Sequence, residues 1–429
     1  MNVKDRNKVS FWKRAIIYFS GFILIYYINL LPNINPYIFP ILCFSIVVLL
    51  EAVDKQNSIF VLVKKRKYLR FIIGLVVAAL YYALIYALMN EQVTLYGTRI
   101  IQSLMFVVYF FLVLFYVKKV HTVYPTKEEK LELLFKIAAI QGIICVAMLI
   151  IPSFKQLADN LFVMVSRFEE GDYILGTRVF GISNSYTYGL PILHGLLSGI
   201  CFYMSIMIDK KYFKYLPFVA IVSLLNGRTG VIVALITMMM SLVYAFFVSK
   251  NKLRVMYLSL ISVFTSVLAV CVLSVVSPHI YNFVNSAFTG IGEYIVGGES
   301  NDSIKALTGD SVYLPEGMGL IFGEGVRLYS SVDTSKYRPS DIGYVNDFFM
   351  GGLIYAILLY GSYFALIKSH YNEKNYRFIK YLIIVSIILA NWKGEIFKNS
   401  TFIIGIFFIL LSDISIEKEE KETGVCFVQ

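Results

Sequence analysis

Apolar residues run in long blocks along almost the whole chain, divided by short polar breaks. The blocks lie near 15–31, 37–52, 71–89, 100–118, 132–151, 187–208, 213–226, 229–249, 255–277, 343–367, 378–391 and 398–413. A helix rises about 1.5 Å per residue, so about 17–25 apolar residues cross a hydrocarbon core of roughly 30 Å. Within that core only hydrogen-bonded helices or closed barrels satisfy the backbone. The pattern predicts an all-α polytopic integral membrane protein with about twelve transmembrane helices. The block at 213–226 is short for a span.

Two polar breaks are long, at 152–186 and 278–342. The expected organisation is therefore helices 1–9 over 1–277, including the loop 152–186. A large loop follows over 278–342, then helices 10–12 over 343–413 and a tail over 414–429. Long loops of this kind usually carry function or are disordered. Early in the large loop Ile280, Phe283, Val284, Phe288, Ile291 and Ile295 recur at helical spacing. They predict an amphipathic helix on the membrane face or packed on the bundle top. Glycine-rich turns, GMGLIFGEG, come next.

Composition agrees with the pattern: 58% of residues are hydrophobic and only 16% charged, where soluble domains carry about 25% charged residues. The net charge of +11 would suit nucleic acid, but the placement of the basic residues points elsewhere. With the N-terminal segment in the cytoplasm, 27 of the 39 Lys and Arg fall inside and 11 outside, leaving Lys136 in a span. That asymmetry is the positive-inside rule. It expects both termini in the cytoplasm, a multi-pass membrane protein, and membrane lipid as partner with no role for nucleic acid. The first apolar block follows a basic segment without an A-x-A cleavage site, which reads as an uncleaved anchor. No cysteine falls in an outward loop, so no disulfide framework is expected there.

Candidate chemistry gathers on the outward face. In LLNGRTGVIVAL, Arg228 sits between two apolar blocks. The fourteen steps from Lys214 span about 21 Å, short of the bilayer core, so Arg228 is expected below the surface. It also opens a helix whose positive dipole end disfavours a cation. An anion would offset both costs, while Gly227 and Gly230 would allow a ligand close to the backbone. Snorkelling to phospholipid headgroups is the simpler alternative. A second stretch is RVFGISNSYTYG, Arg178 to Gly189. The third is RPSDIGYVNDFFMGG, Arg338 to Gly352, where Ser340 or Asp341 is expected to cap the helix. Asp347 lies a turn deeper and needs a partner or water. His194 suits either a base or a hydrogen bond inside the bundle, the second being commoner. The sequence shows no metal-ligand spacing, no G-x-S-x-G elbow and no outward cysteine nucleophile, so no cofactor and no metal is expected. Arginines and carboxylates above an apolar bundle suit a lipid-linked anion, with its tail in the bilayer and its phosphates on guanidinium groups.

Three stretches resemble the O-antigen polymerase family of polysaccharide polymerases. They are Arg178 to Gly189, the NGRTG before the eighth span, and IFGEG followed by SDIGYVNDFFMGGLIYAILLYG. The likeness covers roughly the last 250 residues in order. It implies a bundle similar to the GT-C class of membrane glycosyltransferases, with the large outward loop between helices 9 and 10. It also implies a metal-independent transfer of the glycan chain from undecaprenyl diphosphate onto the next lipid-linked repeat unit, as in making lipopolysaccharide or capsule. A chain-length regulator protein is a possible partner of such an enzyme. In that family an arginine with glycine eleven positions later recurs in an outer loop, and Arg178 with Gly189 fits. The second such pair is not reproduced, since Arg338 stands eleven after Arg327 and Phe349 eleven after Arg338.

On this reading Arg178, Arg228, Arg327 and Arg338 bind the substrate together with Gly189, Tyr344 and Asn346. Asp341 or Asp347 is the expected base, with Arg228 stabilising the leaving group. The related O-antigen ligases typically carry His-Asn where this chain has Val345-Asn346, which favours polymerase over ligase. A lipid-linked oligosaccharide flippase is the other alternative, but it would place its charges in a central cavity.

Overall fold

A computed structural model of the chain describes residues 11–28, 35, 37–53, 59–91, 93–95, 97–162, 178–184, 188–249, 251–253, 255–257, 312–328, 336–398 and 400–414, with isolated positions between 259 and 285. Among them every regular element is helical. In chain order these are α1 (Phe11–Ile25), α2 (Ile38–Val53), α3 (Ile59–Val63), α4 (Arg66–Met89), α5 (Ile100–His121), α6 (Lys127–Ile150) and α7 (Pro152–Phe162). Then come α8 (Gly189–Met207), α9 (Leu216–Asn226), α10 (Arg228–Val248), α11 (Met318–Phe322), α12 (Gly343–Lys368), α13 (Phe378–Lys393) and α14 (Ser400–Leu411). Short 3₁₀ turns cover Lys210–Tyr215 and Ile396–Lys398.

Among the described residues, six helices are long and apolar enough to cross a membrane: α4, α5, α6, α8, α10 and α12. The chain is thus a polytopic helical membrane protein by its described helices. The shorter α1, α2, α9, α13 and α14 lie where further apolar blocks were expected. The ninth block, the amphipathic stretch after it and the tail beyond 414 fall wholly or mostly outside the described residues.

The helix α8 is the axis of the bundle, with 94% of its membrane window enclosed by protein. It owes that position to small residues. A Cβ on Gly195 would come within 2.5 Å of the Gly230 carbonyl, and one on Gly230 within 2.5 Å of the Pro191 carbonyl. Lipid gives little hydrophobic drive for helices to associate, so close backbone approach and van der Waals contact do that work. Gly230 is therefore spent on α8, and not on a ligand as its sequence context suggests. By contrast α10 presents Ile232, Leu235, Met239 and Val243 outward, the face a helix offers to lipid.

The start of α6 and the cap of α12 differ from expectation. The fifth block was expected from 132, but α6 begins at Lys127. Thr126 accepts from the Glu129 amide, while Glu129 accepts from the Thr126 amide, a reciprocal cap. For α12 the capping residue is Ile342, with no side-chain cap. The Ser340 hydroxyl instead accepts from the Ile342 amide at 3.3 Å, closing a turn one step too early to cap. Asp341 is 65% exposed, with its carboxylate 3.9 Å from Lys393 Nζ.

One end of the bundle is clamped by Lys127, which pairs with Asp413 and Glu373, and by buried Lys130, which donates to the carbonyls of Ser412 and Ile414. These bonds satisfy carbonyls at the end of α14 that have no helical partner. The opposite end carries the candidate chemistry.

Candidate functional site

The site begins with a break in α12. Gly352 takes φ 64°, ψ −162°, interrupting the helix beside Gly351. The break releases the Phe349 carbonyl, which accepts from the amides of Glu324 at 2.8 Å and Val326 at 3.4 Å. The hairpin around α11 thus seats in the kink. A Cβ on Gly323 would lie 2.4 Å from Gly351 Cα, and one on Gly352 2.4 Å from the Ile321 carbonyl carbon. The glycines of IFGEG and MGG therefore mark a single contact. Tyr81 and Asn90 of the α4 end donate to the carbonyls of Phe322 and Gly325. Asn346 completes the seat: its side-chain oxygen accepts from the Leu328 amide at 2.9 Å, and its amide donates to Ser340 and Ile342 carbonyls. Arg327 is held between these anchors.

The turn after α13 supplies the other half. Asn391 accepts from the Ile396 amide, and the 3₁₀ turn that follows brings Glu395 and Lys398 inward. Lys398 Nζ lies 3.0 Å from Asp347 Oδ1 and 2.6 Å from Glu395 Oε1. The other Asp347 oxygen accepts from Tyr360 at 2.5 Å, and the Tyr360 hydroxyl in turn accepts from Asn391 at 2.9 Å. Arg327 Nε donates to Glu395 Oε2 at 2.7 Å, and a second guanidinium nitrogen pairs with the same oxygen. Arg99, from the loop before α5, places Nη1 3.7 Å from that oxygen.

Burial is graded across the cluster. Asp347 is 1% exposed, Glu395 6%, Lys398 8%, Arg99 13% and Arg327 29%, so the cluster opens on the Arg327 side. Burial by itself would raise the Glu395 carboxyl, but Lys398, Arg327 and Arg99 outweigh it and hold it well below the ordinary carboxylate range. Removing charges from water is expensive unless each finds a partner, and here three cations meet two carboxylates.

A second group forms beside α8. Asn226, the last residue of α9, donates to the Val179 carbonyl at 2.7 Å, and Gln141 donates to Phe180 at 2.8 Å. These bonds draw Arg178 to the break between α9 and α10, where Arg228 stands exposed. The first turn of α8 touches both groups. Pro191 packs on Gly227 and Gly230, while the Tyr188 ring packs on Gly394 beside Glu395. Gly189 is buried there as the first residue of α8.

The remaining sequence candidates divide. Asp347 has found its partners, Lys398 and Tyr360. Asn346 is buried with both side-chain groups bonded to backbone, so it builds the seat of the loop. Tyr344 donates to the Ile388 carbonyl and stands edge-on to Trp392. Arg338 is exposed, its carbonyl accepting from Tyr313. His194 is buried, with one ring nitrogen at the Val219 carbonyl and the other at Tyr26, which makes it a bundle residue. Among the described residues no three His, Cys, Asp or Glu side chains are grouped to hold a metal ion.

Sequence reasoning missed Arg99, Glu395 and Lys398. A signal existed: Glu395 and Lys398 are three apart in the six-residue connection 394–399 between two apolar helices, on the side where Asp347 needed a cation. No known protein family model, curated protein or solved structure matches the chain.

Proposed function

We propose that the chain is a metal-independent glycosyltransferase of a bacterial plasma membrane, acting as a polysaccharide polymerase. The bundle would have about twelve spans with a GT-C-like arrangement. Its substrate is an oligosaccharide repeat unit linked to undecaprenyl diphosphate, and the growing glycan passes from its lipid carrier to the next lipid-linked unit. One observation carries this reading: Arg99, Arg327 and Lys398 gather around the Asp347 cluster, and the first turn of α8 that packs beside it also packs on the Gly227–Gly230 turn that carries Arg228. A lipid tail suits the apolar flank, and a diphosphate suits the cations.

In the reaction an acceptor hydroxyl attacks the anomeric carbon. A new C–O bond forms there, and the bond to the diphosphate breaks with its electron pair leaving on phosphate oxygen. Charge grows on the diphosphate in the transition state, so fixed guanidinium groups lower the barrier. The acceptor proton passes to a carboxylate. Asp341, exposed and 3.9 Å from Lys393, is the proposed base, since both Asp347 oxygens are taken by Lys398 and Tyr360.

The test uses purified protein in liposomes with a lipid-linked repeat unit. A glycan ladder supports the polymerase. Transfer to lipid A core would instead mean ligase, and movement across the bilayer without lengthening would mean flippase. Arg228→Ala is expected to abolish the ladder while leaving membrane insertion intact, and an unchanged ladder overturns that residue's role.

A further inference from the structure

We propose that Glu395 is a built-in stand-in anion: its carboxylate occupies a phosphate site formed by Arg99, Arg327 and Lys398 and leaves when a phosphate group arrives. The inference deepens the polymerase reading and rests on it only for the identity of the natural ligand.

Four observations converge. First, the three cations come from three separate segments, the loop before α5, the docked loop after α11 and the turn after α13, and all aim at one carboxylate. Asp347 and Glu395 share Lys398, so one further cation would balance Glu395, yet two converge on it. Second, Asp347 holds Lys398 at 3.0 Å independently of Glu395, so Lys398 keeps its place in the site when Glu395 leaves. Third, among the described residues the buried Arg99 Nη1 makes no hydrogen bond, and its 3.7 Å approach to Glu395 is too long for one. A carboxylate has two oxygens for three cationic partners. A phosphate offers more acceptors on a tetrahedral frame, enough to bridge two guanidinium groups and an ammonium. Fourth, the cluster opens at Arg327, the most exposed of its members, so an anion has a way in.

Glu395 lies outside the regular helices, between the end of α13 at Lys393 and the turn Ile396–Lys398. Its side chain can swing out without moving a helix. Lys398 would stay anchored on Asp347, and Arg99 would gain the hydrogen bond it lacks. Glu395 is thus a positioning residue that keeps the cations gathered while the site awaits its ligand.

The test is binding of inorganic pyrophosphate, measured by calorimetry on full-length protein in phosphatidylcholine nanodiscs. Without its carboxylate competitor, Glu395→Gln is expected to bind about tenfold more tightly than wild type, a change of about 1.4 kcal/mol. Arg99→Gln is expected to bind about tenfold more weakly with an unchanged melting temperature. A folded Glu395→Gln protein that binds no more tightly overturns the proposal. Should that variant fail to fold, Arg99→Gln decides, and wild-type affinity in it overturns the proposal as well. Repeating the titration in phosphatidylglycerol nanodiscs separates the sources: competition makes a bilayer headgroup the resident phosphate, and its absence makes it a diphosphate, each in keeping with the site. No sugar is involved, so loss of polymerisation in liposomes with pyrophosphate binding intact would sink the polymerase reading alone.

Discussion

Lys398 holds two buried carboxylates at once, and its removal leaves Asp347 without its cation and Glu395 with Arg327 and Arg99 alone. Uncompensated buried charge costs about 3–5 kcal/mol. Lys398→Met is therefore expected to lower stability by about that much, and adding Asp347→Asn to recover part of it, as thermal unfolding in detergent would record. Two carboxylates, Glu395 and Asp159, respond to pH with opposite sign. Glu395 has its pKa depressed by its cations, so its contribution is present above the ordinary carboxylate range and is lost as pH falls. Asp159, on the short α7, is pushed up to about 6 from 3.8 because burial outweighs the nearby Lys155. The folded state must then ionise a buried acid as pH rises from about 4 through 6, so stability is full below that window and declines across it. Asp159→Asn should flatten this decline and raise the melting temperature at pH 7 relative to wild type. An equal melting temperature at pH 4 and pH 7 in the wild type would refute it.

At the scale of elements, the kinked α12 and the hairpin around α11 depend on each other. Gly352 has a left-handed φ and a Cβ position that falls on the Ile321 backbone. Gly352→Ala adds strain of about 1–3 kcal/mol to a backbone clash, so the hairpin is expected to lift from its seat. Limited proteolysis should then cut within 313–328, where the wild type resists. A variant as protected as wild type would mean that the hairpin is held elsewhere. The break between α9 and α10 is a second such junction. With eleven residues α9 reaches only about 16 Å. Its last residue, Asn226, holds the Val179 carbonyl and, with it, the backbone next to Arg178.

For the whole molecule, the two polar ends differ in character. One is built of lysine clamps at the end of α14 and beside the start of α13, the other of the Asp347 cluster and the arginines around α8. The basic loops expected inside belong to the first. Single cysteines placed at exposed Lys336 and exposed Lys374, in a background lacking the native cysteines, test this arrangement. An impermeant maleimide on intact cells should label Lys336→Cys and spare Lys374→Cys. The reverse pattern would invert the topology and remove the proposed site from the outward face.

The sequence by itself determined the helical class and nearly every helix position, because a bilayer leaves an apolar segment no other way to satisfy its backbone. It also marked Arg228 and Asp347 as costly where they stand, and singled out the stretches that begin at Arg178 and Arg338 and the glycine-rich turns before the second. Local pattern shows that a residue is costly where it stands, but not what relieves the cost. Tertiary structure alone decided that Asp347 is answered by Lys398 some fifty residues on, that Gly230 serves α8, and that Asn346 seats a loop. It alone brought Arg99 beside Glu395, nearly three hundred residues away along the chain. The reason is that charge pairing in a membrane depends on which helix ends meet, and these ends meet through close glycine contacts and one broken helix that no single segment encodes.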